Sequence, residues 1–325
     1  MFNFSVEKKT SNEAFDRVNI WDMLIIGGGP AGLNAALYAK RKGLEVGIIT
    51  KETGGQLHNT TAVDNYLGYN LIEGEALANT FLDHVNHLEV PILKNQHVRH
   101  LEKNGHDFQV TLEHGKVLSA KTILISTGGA PRKLNVLGET SYANKGVTYC
   151  ATCDAPFFKD KHVIVAGGGN SAAEGVIDLV PWASKITVVH RSNWRADQVL
   201  LDKLKTIDKL DIYLQTQILE VVGDELMKGV KVLDKITGEE RIIEADGLLI
   251  EIGTVPNSHL VEDLVDLNDS KEIIVDHNQS TSVEGLYAAG DVTAQPHKQI
   301  IISAAEGAKA ALAANQYLNQ NYKGE

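Results

Sequence analysis

Cysteine is nearly absent from this chain of 325 residues: there are two, and both lie in the stretch Cys150-Ala151-Thr152-Cys153-Asp154. So few argue against a framework of structural disulfides. There is no second CxxC, which argues against a structural zinc, since that metal wants four ligands. His84-x-x-His87 and His97-x-x-His100 have no finger-like spacing to the pair, and no metal is expected. Long apolar runs are missing as well: none reaches the roughly 18 to 20 residues that span a bilayer, so no membrane contact is expected. The first 21 residues mix charge with isolated aromatics and have no apolar h-region, so they do not read as a secretory signal. A cytoplasmic protein is expected. Basic residues are outnumbered, 31 against 42 acidic, and the formal net charge of -11 argues against nucleic acid as a partner. What remains is 43% hydrophobic and 22% charged, the profile of a globular protein of about two domains.

Glycine is present where it can matter. Residues 22–26 read as a short buried strand and run into Gly27-Gly28-Gly29-Pro30-Ala31-Gly32. An apolar helical stretch follows, stopped by Gly43, and then a second strand over 44–50. This is the strand-turn-helix-strand order of a dinucleotide unit with G-x-G-x-x-G at its turn. Glycine lets the backbone approach a pyrophosphate, and the helix N-terminus offers N–H donors and a partial positive charge. One element is missing: the second strand ends in Thr50-Lys51-Glu52 without a clear terminal acid, so Glu52 is displaced or the ribose is held otherwise.

The pattern recurs 140 residues later (167 minus 27). A strand over 162–166 leads into Gly167-Gly168-Gly169-Asn170-Ser171-Ala172, a helix, and a strand over 185–190. After that strand stands His190-Arg191-Ser192-Asn193-Trp194-Arg195. Cations there suit the 2′-phosphate of NADP, where NAD sites carry an acid. Two Gly- and Pro-containing turns, 127–131 and 252–257, are candidate hinges. The predicted fold class is α/β: two Rossmann-like dinucleotide-binding domains (three-layer ββα), the second inserted into the first. The boundaries expected are an N-terminal extension over 1–20, a discontinuous first domain over 21–132 and 256–325, and an inserted domain over 133–255. Residues 285–291 read as an apolar strand ending in Gly290-Asp291, where the acid can accept from a sugar-like hydroxyl.

Three readings are open to Cys150 and Cys153: metal ligands, inert thiols, or a redox pair. Redox is favoured, because thiolate chemistry needs only a partner and a tuned pKa, and a reducing compartment disfavours a structural disulfide. Asp154 is a candidate acid/base, and an Asp before Ala-Pro is also an ordinary turn or cap residue.

Taken with GGGPAG, TGGQL, DNYLG, TYCATCDAPFF, AGGGNSAAE, GLYAAGD and KQIIISAAEGAKAA, in this order and spacing, the chain resembles the low-molecular-weight thioredoxin reductase family. The likeness covers about residues 20 to 320 and extends to the C-terminal reductase portion of the alkyl hydroperoxide reductase flavoprotein. It implies an FAD domain and an NAD(P)H domain carrying the cysteines. Gly27, Gly29, Gly32, Gln56, Asn65, Asp291 and Gln299 would line FAD, the matched stretches add Pro30, Ala31, Leu57, Gly290, Lys298 and Ile300, and Gly128 in the turn 127–131 is a further cofactor-binding candidate. Gly167, Gly169, Asn170, Ser171, Ala172, His190, Arg191 and Arg195 would hold the nicotinamide nucleotide. The resemblance further implies that Cys153 faces the flavin, that Cys150 attacks the partner disulfide, that Asp154 is the acid/base, and that the protein is a homodimer alternating between two domain orientations.

Ser192 departs from the family pattern, which has a second arginine there. NADPH is the expected donor, with NADH, or a reduced ferredoxin or flavin, as alternatives. The function expected is an FAD-dependent disulfide reductase acting on thioredoxin or a similar small redox protein. A peroxiredoxin-system carrier is the second substrate reading, a dithiol oxidase a more distant one, and a flavin redox sensor the non-enzyme reading.

Overall fold

The computed structural model describes residues 11–60 and 62–322. The chain divides into two compact units: one of residues 1–130 and 255–325, the other Pro131–Thr254. The two chain crossings, Gly129–Pro131 and Thr254–Pro256, pair as a two-stranded ribbon.

The first unit is built on a seven-stranded sheet. Its order is Ile92–Leu93, Val46–Thr53, Trp21–Gly28, Val117–Ile125, Asp107–Leu112 and Val98–Asn104, with Leu286–Ala288 also paired to Val117–Ile125. Val117–Ile125 changes partners along its length. Its first half pairs antiparallel with Asp107–Leu112, and from Ala120 to Ile125 it pairs parallel with Trp21–Gly28. Apart from Asp22 near its start, the strand Trp21–Gly28 is apolar because both faces of a parallel sheet are covered. Side chains alternate across it. Met23 and Ile25 pack with the alanines of the helices Pro30–Arg41 and Ile300–Asn321, while Leu24 and Ile26 pack with Leu101, Phe108, Val110 and Leu112. Residues 1–10 of the segment placed outside the domains lie outside the described residues. The helix Ser11–Arg17 joins the core of this unit: Phe15 is buried, with its ring 4.8 Å from that of Trp21.

The second unit repeats the logic. A five-stranded parallel sheet has the order Leu210–Tyr213, Lys185–Val189, His162–Ala166, Gly247–Ile250, Val147–Thr148. One face packs Val163, Val165, Ile186, Val188 and Leu249 against the helix Asn170–Leu179. The other packs Ile164, Ala166, Leu248 and Ile250 against the antiparallel strands Thr216–Gly223 and Met227–Asp234, with Glu240–Glu244 as their third strand. Helix, parallel sheet and antiparallel sheet form three layers of a Rossmann-like α/β fold.

Candidate active site

In the second unit, the strand Val147–Thr148 ends two residues before Cys150, which is the N-cap of the short helix Ala151–Asp154. Cys150 and Cys153 are joined as a disulfide with Cα atoms 5.3 Å apart. The backbone N–H of Cys153 donates to Cys150 Sγ at 3.2 Å. That donor favours negative charge on the Cys150 sulfur once the bond opens. Asp154 stands at the N-cap of the turn Ala155–Phe158, yet its side chain does not cap it. The carboxylate instead accepts a short hydrogen bond from the Thr148 hydroxyl, which also lies 3.4 Å from the Cys150 N–H. Ala151, between the cysteines, donates its N–H to Glu251 Oε1 at 3.4 Å. Glu251 follows the buried strand Gly247–Ile250, and burial, reinforced by Asp178 and Glu174, pushes its pKa up to about 7.

The turn of the same unit brings Gly167, Gly169, Asn170, Ser171 and Ala172 to the start of the helix Asn170–Leu179. A Cβ on Gly167 would lie 2.2 Å from the Glu251 carbonyl oxygen, whereas one on Gly169 would meet open space. The helix has no side-chain cap and no acid in its first turn, so its first N–H groups can meet an anion. His190 lies against this turn, its ring within reach of the place a Gly168 Cβ would occupy. The Arg195 N–H donates to the Gly168 carbonyl at 2.7 Å, which brings the 190–195 segment to the glycines. Arg191 and Arg195 are exposed. Burial, then Arg195 and Arg191, lower the His190 pKa, so the imidazole is neutral at pH 7 beside two cations. Its Nε2 is hydrogen-bonded to the Ser192 hydroxyl at 3.0 Å. Asn170 and Asp197 are doubly linked, at 2.9 and 2.8 Å.

In the first unit, Gly27 has φ +117°, and a Cβ there would lie 2.2 Å from the Ser126 carbonyl oxygen. The turn can therefore be made only by glycine. Gly29 faces open space at the start of the helix Pro30–Arg41, whose N-terminus likewise lacks a side-chain cap and an acid. Ala31 and Gly32 belong to its first turn. Gln56 donates to the half-buried carboxyl of Asp291 at 2.8 Å, and Asn65 donates to Gln299 at 3.2 Å. Burial raises the Asp291 pKa, opposed by Lys298, Ser303 and Gln56. Leu57 and Ile300 pack in one small apolar cluster. Gly128 accepts from the Asn257 N–H, and Gly290 donates its N–H to Glu306 at 2.8 Å. The Lys298 ammonium contacts the Thr293 carbonyl and pairs with Glu272 at 3.0 Å. A glycine turn open beside Gly29, uncapped helix donors and a half-buried acid bonded by Gln56 and Ser303 fit a dinucleotide.

Thr148, Glu251, Asp197, Ser303 and Glu306 were not among the sequence candidates. Ser303 and Glu306 left a signal, being polar residues three apart in an alanine-rich helix. Glu251 left another, a lone acid at the end of an apolar strand.

The family model for pyridine nucleotide-disulphide oxidoreductases matches residues 21–313. The chain belongs to that family. The F subunit of alkyl hydroperoxide reductase in Staphylococcus aureus (strain Mu50) is 40% identical over 308 residues, which cover 94% of this chain and 61% of the relative. Its counterpart in Staphylococcus epidermidis is 39% identical over the same shares. The chain thus spans less than two thirds of these relatives' length. Among solved structures, thioredoxin reductase from Streptococcus pyogenes superposes with TM-score 0.88 at 37% identity, covering 93% of this chain and 99% of that one. Thioredoxin reductase from Giardia duodenalis gives 0.87 at 30% identity with the same coverage. As a pyridine nucleotide-disulphide oxidoreductase the protein is a flavoprotein with a disulfide redox centre, and the family implies FAD and a nicotinamide cofactor. Among the described residues, no helix is long and apolar enough to cross a membrane.

Proposed function

We propose that the protein passes electrons from NADPH through FAD to the Cys150–Cys153 disulfide, and from there to the disulfide of thioredoxin. The observation that carries this reading is the closed pair with the Cys153 N–H aimed at Cys150 Sγ. In this reading the first unit holds FAD through the Gly27–Gly32 turn, Gln56, Asn65, Asp291 and Gln299, and the second holds the nicotinamide nucleotide. Bound FAD supplies two-electron transfer between nicotinamide and disulfide. On taking two electrons and a proton, the S–S bond breaks to one thiol and one thiolate. The N–H at Cys150 makes it the thiolate, which attacks the partner's disulfide; Cys153 then displaces the partner from the mixed disulfide. Asp154, held by Thr148, moves the proton. The reading includes a cytoplasmic homodimer.

A second reading has a peroxiredoxin-system carrier as the acceptor, favoured by the 40% identity to the alkyl hydroperoxide reductase relative. Ser192 keeps NADH in play as donor, because its hydroxyl is turned to His190 where the family pattern has a cation. Steady-state assays with NADPH and with NADH, against thioredoxins and peroxiredoxin-linked carriers, separate the two. Turnover of thioredoxin with NADPH is expected. Failure of both nicotinamides to bleach the flavin band would sink the reading.

A further inference from the structure

Glu251 has no part in the electron path above, yet it is the acid joined to the backbone inside the redox turn. Its Oε1 accepts from the N–H of Ala151, the residue directly after Cys150 and 100 positions earlier in the chain. The carboxyl is packed among small residues: a Cβ on Gly175 would lie 3.5 Å both from Glu251 Cγ and from Ala151 Cβ. The charged groups that face it are acidic. Glu174 and Asp178 come from the helix Asn170–Leu179, and Asp178 also accepts from Thr152 in the redox turn at 3.4 Å. Asp154, on the same turn, is bound by Thr148. The strand Gly247–Ile250 has no titratable side chain, and His162 on the neighbouring strand is bonded to Thr187. Arg132, which approaches Gly253, is bonded to the Thr254 carbonyl. Among the described residues no lysine, arginine or histidine pairs with Glu251.

A half-buried carboxylate bonded to the backbone N–H next to a thiolate disfavours that thiolate, and the effect is mutual. We propose that Glu251 is a proton store for the Cys150–Cys153 pair, holding its proton more firmly when the pair is reduced to a thiolate than when it is a disulfide. Reduced flavin gives two electrons, one proton enters with them, and the S–S bond breaks to a thiol and a thiolate. Glu251 takes up further proton from solvent, so more than one proton is bound per two electrons. When a partner disulfide reoxidises the pair, the electrons and the thiol proton leave with the partner, and Glu251 returns what it took up to solvent. Glu251 acts through the Ala151 N–H and is a positioning residue. The proposal rests on this pair being the redox centre but not on which partner it reduces.

The test uses the whole flavoprotein reduced with dithiothreitol. The rate of alkylation by iodoacetamide is measured from pH 5.5 to 9.5, with the modified cysteine identified by mass, for the native protein and for Glu251→Gln. The near-isosteric amide removes the charge and keeps an oxygen for the Ala151 N–H. A fall of up to about one pH unit in the thiol's apparent pKa is expected in Glu251→Gln, from the part of the titration over which Glu251 is ionised. The protons bound per two electrons near pH 7, read from the pH dependence of the pair's equilibrium with dithiothreitol, should exceed one in the native protein and fall to about one in Glu251→Gln. Identical alkylation profiles and proton counts in the two proteins would overturn the proposal. Should Glu251→Gln be poorly folded, Glu251→Ala and Glu251→Asp supply the same comparison, with and without the charge. A normal shift in a protein that reduces no carrier would sink the proposed function and leave this inference standing.

Discussion

The hydroxyl of Thr148 donates to the carboxylate of Asp154, tying the end of a buried parallel strand to the acid that follows the disulfide. The acid is therefore tied to the sheet as well as to the turn it sits in. Thr148→Val keeps the β-branched shape and removes the donor. A hydrogen bond to a charged group contributes about 1.5–3 kcal/mol, so reduction of the acceptor disulfide should slow by about ten- to a hundredfold. Stopped-flow reduction of the flavin by the nicotinamide should be unchanged, and equal loss in both steps would show that the bond is merely structural.

In the proposed reading, the Cys153 N–H at Cys150 Sγ gives the two sulfurs different work. Cys150→Ser should bring acceptor reduction to background while the flavin band still bleaches on adding NADPH. Loss of both together would contradict the division of roles.

Arg191 is exposed beside the second glycine turn, next to a neutral imidazole. If its guanidinium holds a 2′-phosphate, Arg191→Ala should raise the KM for NADPH by about ten- to a hundredfold and leave that for NADH within about twofold. Equal changes would point to a nucleotide held without that phosphate.

Glu251 makes stability depend on pH. Its folded pKa of about 7 lies above the ordinary 4.5, so the folded chain keeps a proton that the unfolded chain releases. Its neutral form is fully accommodated below about pH 4.5, and stability is lost as pH rises from there to about 7. Glu251→Gln removes that loss, so the oxidised variant should be the more stable protein above pH 7, by up to about 3 kcal/mol. Urea denaturation at pH 5 and pH 8 checks the sign: the gain should appear at pH 8 and nearly vanish at pH 5.

Gly27 carries positive φ with the Ser126 carbonyl in the place of a side chain. Gly27→Ala should lower stability by at least about 1–3 kcal/mol from backbone conformation alone, and the contact adds to this. Thermal unfolding and the flavin content of the purified protein measure it; unchanged flavin content and Tm would mean that the turn relaxes freely.

The two glycine turns, their flanking strands and helices, and the CxxC were legible because each depends on neighbours in sequence. Strand 22–26 was visible as an apolar run, and the helix after it as a stretch ending at Gly43. Thr148 and Asp197 were not, since nothing near Thr148 says that its hydroxyl meets Asp154; Glu251 stood out as a lone acid after an apolar strand, but nothing near it says that it meets Ala151. Phe15 lay in a segment outside every matched motif, and its burial against Trp21 follows from the shape of the unit's core.

By itself the sequence determined the α/β class, the order of the dinucleotide turns and the identity of the redox pair, because turn chemistry and hydrophobic period act over a few residues. Tertiary structure alone decided the company those residues keep. Gln56 meets Asp291 across 235 positions, Asn65 meets Gln299 across 234, and Ala151 meets Glu251 across 100. Such pairs are set by which strands lie side by side and in what register, and hydrogen bonds act only over about 3 Å, a distance that the linear order of residues does not contain.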